Sequence, residues 1–99
     1  MSENRTIKFF IHAPDAVEVL LSGTFTNWNK LPIVRTESGF WEAGIEVPPG
    51  KYEYRFIVDG QWMDNVPGCV QVDKICVQDV PAAKRVPNSF GSHNCLLVI

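Results

Sequence analysis

The stretch Tyr52-Glu-Tyr-Arg-Phe-Ile-Val-Asp-Gly-Gln-Trp-Met63 decides the fold. Asp59-Gly60 in its middle is a strong signal for a two-residue hairpin turn, because such turns need positive φ and Asp and Gly tolerate it. The turn sets Val58 opposite Gln61, Ile57 opposite Trp62 and Phe56 opposite Met63. Successive side chains on a strand point to opposite faces. Tyr52, Tyr54, Phe56, Val58 and Met63 therefore form one set, the core side, and Glu53, Arg55, Ile57 and Trp62 the other. Trp62 falls on the charged outer face beside Arg55, where the domain's own core cannot bury its ring.

Working outward from this hairpin, apolar runs recur at Ile7–Ile11, Val17–Leu21, Leu31–Val34, Phe40–Val47, Cys69–Val80 and Asn94–Ile99, none with helical periodicity. Between them lie Ala-Pro-Asp at 13–15, Glu-Ser-Gly at 37–39, Pro-Pro-Gly at 48–50 and Pro-Asn at 87–88, each with turn chemistry. This spacing predicts an all-β chain, an antiparallel β-sandwich of seven to eight strands. Within Cys69–Gln78 the chain either folds back about Asp73-Lys74, pairing Val72 with Ile75 and Val70 with Val77, or runs on as one kinked strand.

A length of 99 residues predicts a single domain over 1–99, and 45% apolar residues are enough to close a core without disulfides. The net charge of −2 and the scattered Lys and Arg offer no basic field, so no nucleic-acid partner is expected. Cys69, Cys76 and Cys95 lack the paired short spacings of a zinc site and read as reduced, small, semi-buried hydrophobes. No hydrophobic signal segment precedes the polar start MSENRT, which predicts a cytoplasmic chain and no membrane partner. No metal and no cofactor is expected.

The candidate binding residues are aromatic. Trp28 lies in the polar loop Gly23-Thr-Phe-Thr-Asn-Trp-Asn-Lys30, and loops lie on surfaces. Trp41 shares an alternating face with Ala43, Ile45 and Val47 and reads as core. Exposed indoles suit sugars, because the axial C–H bonds of a pyranose make an apolar face that lies flat on a ring. Arg55 or Lys30 would then donate to hydroxyls. Two such platforms predict weak binding, with Kd from about 10⁻⁴ to 10⁻³ M. Catalysis is not expected. Glycoside hydrolysis needs two carboxylates facing each other, and Glu18, Glu42, Glu46, Glu53, Asp59 and Asp64 alternate on surfaces or sit in turns. His93 and Cys95 lie too close in one strand to act as base and nucleophile, and His12 reads as a surface residue. The rival reading is a protein-interaction module docking on an enzyme or kinase partner, with Trp28 and Trp62 as anchors and the 69–80 segment as a pairing edge.

The runs His12-Ala-Pro-Asp-Ala-Val-Glu-Val-Leu-Leu-Ser-Gly-Thr-Phe-Thr-Asn-Trp28, Gly39-Phe-Trp41, Pro49-Gly-Lys-Tyr-Glu-Tyr-Arg-Phe-Ile-Val-Asp-Gly-Gln-Trp62 and Asn88-Ser-Phe-Gly-Ser-His-Asn94 resemble, in order, the glycogen-binding module family. That family includes the β subunit of AMP-activated protein kinase and the N-terminal modules of isoamylases and glycogen branching enzymes. The resemblance implies an early-set immunoglobulin-like sandwich that binds α-1,4-glucan, glycogen or starch; by analogy, a carbohydrate module with no catalytic neighbour in its own chain is expected to serve a partner enzyme in trans. It implies sugar platforms at Trp28 and Trp62, with Arg55 in place of a lysine. It also implies an apolar residue at Phe90, often leucine in the family, that passes through the glucan ring, and polar contacts at Ser92 and Asn94. The sequence departs from the family in its long 69–85 connection and in Asn65, where many members carry proline.

Overall fold

The computed structural model describes residues 4–63, 65–89 and 91–99. The strands are β1 (Arg5–His12), β2 (Val19–Gly23), β3 (Leu31–Pro32), β4 (Val34–Arg35), β5 (Phe40–Val47), β6 (Lys51–Val58), β7 (Gln61–Met63), β8 (Gly68–Val72), β9 (Ile75–Asp79), β10 (Arg85–Pro87) and β11 (His93–Val98). One sheet has the order β4-β5-β1-β8-β9. The other has the order β10-β11-β6-β2-β3, with β7 also paired to β6. This is the expected all-β sandwich, cut into more segments than seven or eight. Leu31–Val34 accounts for one cut, because Leu31 pairs with β2 in the second sheet while Val34 pairs with β5 in the first. Ile33 lies buried between the sheets, and its N–H donates to Val19 O at 3.0 Å. The run is a corner where the chain changes sheets.

Alternation builds the core. Ile7, Phe9 and Ile11 of β1, Trp41, Ala43 and Val47 of β5, and Val70 and Val72 of β8 pack with Val19, Leu21, Tyr54, Phe56, Cys95 and Leu97 of the second sheet. Phe9 is central, its ring centroid 5.2 Å from Tyr54, 6.0 Å from Phe56 and 5.8 Å from Phe25. The pairs with Tyr54 and Phe56 are edge-to-face, and such pairs add about 0.5–1.5 kcal/mol each beyond the area they bury.

The first hairpin has the expected register, Val58 to Gln61, Ile57 to Trp62 and Phe56 to Met63. Asp59 and Gly60 have φ of 49° and 85°, as a turn with both central residues left-handed requires. The Asp59 carboxylate also accepts the N–H groups of Val17 and Glu18, each at 2.9 Å, and so pins the approach to β2. Ile57 differs from expectation. It belongs to the outer set yet is only 3% exposed, because Leu20 and Trp62 flank it as its partners on the two neighbouring strands.

The Asp73-Lys74 segment is a hairpin and not a kinked strand, with φ of 49° and 75° at the turn. Val72 pairs with Ile75, but a bulge then pairs Val70 with Gln78 in place of Val77. The extra residue has a reason. Gln78 now accepts from the Tyr54 hydroxyl and donates to Leu96 O at 2.8 Å, both part-buried bonds that satisfy groups of the other sheet.

The reading of three reduced cysteines is corrected. Cys69 and Cys76 form a disulfide with Cα atoms 6.1 Å apart, since the hairpin sets them diagonally on one face of β8 and β9. Closing so short a loop contributes about 2–3 kcal/mol in the chain-entropy account. Only Cys95 matches the small-hydrophobe reading, fully buried in the core.

Burial is the largest cause pushing the Tyr54 hydroxyl above its ordinary range, with Cys95 beside it adding to the shift and Arg85 opposing it. Above the ordinary tyrosine value of about 10, the unfolded chain releases a proton that the folded chain keeps. Stability contributed by this group is therefore complete below that value and lost as pH rises past it. Urea midpoints measured at about pH 8 and about pH 11 should fall more for the native protein than for Tyr54→Phe. Equal falls in the two proteins would refute the assignment.

Candidate functional site

The groove owes its place to the edges of β6. β2 occupies one edge over Tyr54–Val58. On the other edge β11 pairs with Lys51–Tyr54 and β7 with Phe56–Val58, so β7 and β11 lie end to end. Their outward residues, Trp62 of β7 and Asn94 of β11, are thereby brought beside Glu53 of β6, and Trp28 reaches the same place from the loop after β2. These residues with Asn88 and Ser89 line an open groove of about 630 Å³ on the outer face of the second sheet.

The loop after β2 sends one ring inward and one outward. Phe25 packs on the core beside Phe9 and Tyr52. The Trp28 N–H reaches back to Gly23 O at 2.8 Å, and Asn27 and Trp28 take successive left-handed conformations, φ 53° and 62°. For tryptophan that conformation costs on the order of 1–2 kcal/mol. It is held by Thr26 Oγ1, which accepts the Gly23 N–H at 3.2 Å, and by Thr24 Oγ1, which accepts the Glu53 N–H at 3.2 Å. The result is an indole 40% exposed, next to Trp62 at 44%, whereas Trp41 is 6% exposed and its Nε1 donates to Ala13 O.

The groove floor is a polar chain. Asn94, 5% exposed, donates from Nδ2 to Glu53 Oε1 at 3.1 Å and accepts from Asn88 Nδ2 at 3.0 Å. Asn88 in turn accepts the Ser92 N–H on Oδ1 at 3.0 Å and donates its own N–H to Ser92 O. Asn88 and Ser92 are thus fastened, through Asn94, to β6. Asn94 uses one Nδ2 hydrogen and one Oδ1 lone pair in these bonds and keeps the other of each.

The remaining candidates are placed as follows. Arg55 stands behind Trp62, its guanidinium carbon 5.8 Å from the ring centroid and its Nη2 donating to Trp62 O at 3.2 Å. Arg55 Nε and Ser22 Oγ, on opposed residues of β6 and β2, are buried without a partner among the described residues. Ser92 is half-buried and Lys30 exposed, and neither lines the groove. Phe90, like Asp64, lies outside the described residues. Glu53, Asn88 and Ser89 were not among the sequence candidates. Glu53 shares strand parity with Trp62, and that parity is the sequence signal that places it on the same face. Among the described residues no three His, Cys, Asp or Glu side chains gather as metal ligands.

Fold and groove together define an immunoglobulin-like sandwich with an open aromatic groove on one sheet. The chain belongs to the family described as the glycogen recognition site of AMP-activated protein kinase, which matches residues 7–77. It is 51% identical over 45 residues to the 5'-AMP-activated protein kinase subunit beta-1 of Sus scrofa, a match covering 46% of this chain and 36% of that one. The beta-1 subunit of Homo sapiens is also 51% identical over 45 residues, covering 46% and 16%. The beta-2 subunit of Mus musculus is 43% identical over 49 residues, covering 48% and 18%. The matches thus span about a third or less of these relatives' lengths. The Asn88–Asn94 side of the groove lies beyond the family match and is defined by the structure.

Acrylamide quenching separates the three indoles. Trp28→Phe and Trp62→Phe should each remove quenchable fluorescence, and Trp41→Phe the shielded part; equal accessibility of all three would contradict this geometry. A Cβ at Gly23 would lie 2.5 Å from Glu53 O and 2.8 Å from the Phe25 ring. Gly23→Ala should therefore cost about 1–3 kcal/mol in urea unfolding.

Proposed function

We propose that this chain, as one carbohydrate-binding unit over 1–99, holds an α-1,4-glucan of the glycogen or starch kind in its groove without acting on it chemically. The observation that carries the reading is the pair of half-exposed indoles lining one groove over a hydrogen-bonding floor. Pyranose C–H faces lie on Trp28 and Trp62. The Glu53 carboxylate accepts from sugar hydroxyls, and the Asn88 and Asn94 amides and the Ser89 hydroxyl complete the rim. Arg55 supports the Trp62 platform by a cation–π contact worth about 0.5–1 kcal/mol. Phe90, Ser92 and Lys30 extend the site, the first two by the family resemblance. The family description and the names of the kinase subunits support both the glycogen ligand and a kinase-type protein partner in trans. The setting is the cytoplasm.

Docking on that partner is a second use of the module, favoured by the exposed Ile75 and Val77 on the edge strand β9.

Titration calorimetry with maltoheptaose and with a β-linked glucose oligomer tests the ligand class. Binding of the α-linked chain alone is expected, with Kd of about 10⁻⁴–10⁻³ M, and Trp28→Ala or Trp62→Ala should each weaken it about tenfold or more. Equal heat from both sugars, or none from either, removes the glucan assignment.

A further inference from the structure

Gln78 ties the edge of the first sheet to the floor of the groove on the second. Its Nε2 donates to Leu96 O at 2.8 Å and its Oε1 accepts from the Tyr54 hydroxyl. Leu96 lies opposite Glu53 in the β11–β6 ladder, and Tyr54 follows Glu53 along β6. Asn94, two residues before Leu96, holds the Glu53 carboxylate. The Gln78 clamp therefore grips the same two strands that carry the polar floor.

β9 itself is thinly anchored. It is an outermost strand, and Ile75, Cys76, Val77 and Asp79 are all exposed, so little apolar burial secures it. Beyond the ladder, β9 is held by the covalent tie to β8 through Cys69–Cys76 and by the two Gln78 hydrogen bonds. That tie faces outward. Cys76 is exposed, and Cys69 lines an open hollow of about 340 Å³ with Phe10, Phe40 and Gln71 on the outer face of the first sheet. Exposed disulfides are the ones that reductants reach.

We propose that Cys69–Cys76 is a redox clasp that sets the glucan affinity of the groove through Gln78, with a dithiol as its chemical effector; the effect on binding rests on the glucan reading above. A thiolate of the effector attacks the exposed Cys76 Sγ, the S–S bond breaks, and Cys69 leaves as thiolate and takes up a proton. The effector's second thiolate then displaces Cys76, which is protonated in turn. Two electrons and two protons pass to the protein, and the effector departs as its own disulfide. With the tie cut, β9 frays, the Tyr54 hydroxyl and Leu96 carbonyl lose Gln78, and the Glu53–Asn94 floor loosens.

The test is maltoheptaose titration of the air-oxidised protein and of the same protein in dithiothreitol, with amide hydrogen exchange followed at Asn94 and Leu96. Reduction should weaken binding about fivefold or more and speed exchange at both amides. Cys69→Ser/Cys76→Ser, which keeps Cys95, should show the weak affinity with and without dithiothreitol, and Gln78→Ala should be weak in both states. Equal affinity and equal exchange in the two redox states would overturn the clasp, as would a full redox response in Gln78→Ala or the absence of a Cys69–Cys76 bond in peptide mapping. If the oxidised protein binds no maltoheptaose, the glucan reading fails, while the exchange comparison still decides whether the disulfide governs the floor.

Discussion

Strand β6 has only two edges, and the way they are shared governs the rest of the molecule. β2 takes one edge. The other is divided, with β11 along the first half and β7 along the second, so the two strands meet end to end halfway down. The tight Asp59-Gly60 turn makes this possible, because a longer connection would not return the chain at once onto the half-edge that β11 leaves open. On the outer face above that junction, residues from β6, β7, β11 and two loops converge, which is why the groove lies there.

Opposed preferences are settled locally around the groove. The loop after β2 holds two aromatic rings within four residues of each other; the core takes Phe25, and Trp28 turns outward on a left-handed backbone. A backbone strained at an exposed tryptophan is better explained by use than by stability, since a glycine would relieve it. Arg55 follows the same pattern. Its buried Nε lacks a described partner, yet its guanidinium backs the exposed Trp62 ring.

The far side of the sandwich answers to a different demand. The Tyr54 hydroxyl and the Leu96 carbonyl both need hydrogen-bond partners, and the bulge in β9 delivers Gln78 to both. One inserted residue therefore satisfies two buried groups and joins the sheets at an otherwise weak edge. The same hairpin brings Cys69 to Cys76, so this edge strand also carries the covalent tie.

The sequence by itself determined the all-β class, the register of the Asp59-Gly60 hairpin, the outward parity of Arg55 and Trp62, and the burial of Trp41. These are local matters, decided by a period of two and by turn residues a few positions apart. Only the tertiary structure decided that Glu53, Asn88 and Asn94 form one hydrogen-bonded floor, because Glu53 and Asn94 are 41 residues apart and meet through strand pairing. It likewise decided the covering of Ile57 by its neighbours, the pairing of Gln78 in place of Val77, and the disulfide. Each of these depends on which buried polar group or open edge is left over once distant strands have met, and strand alternation carries no record of that.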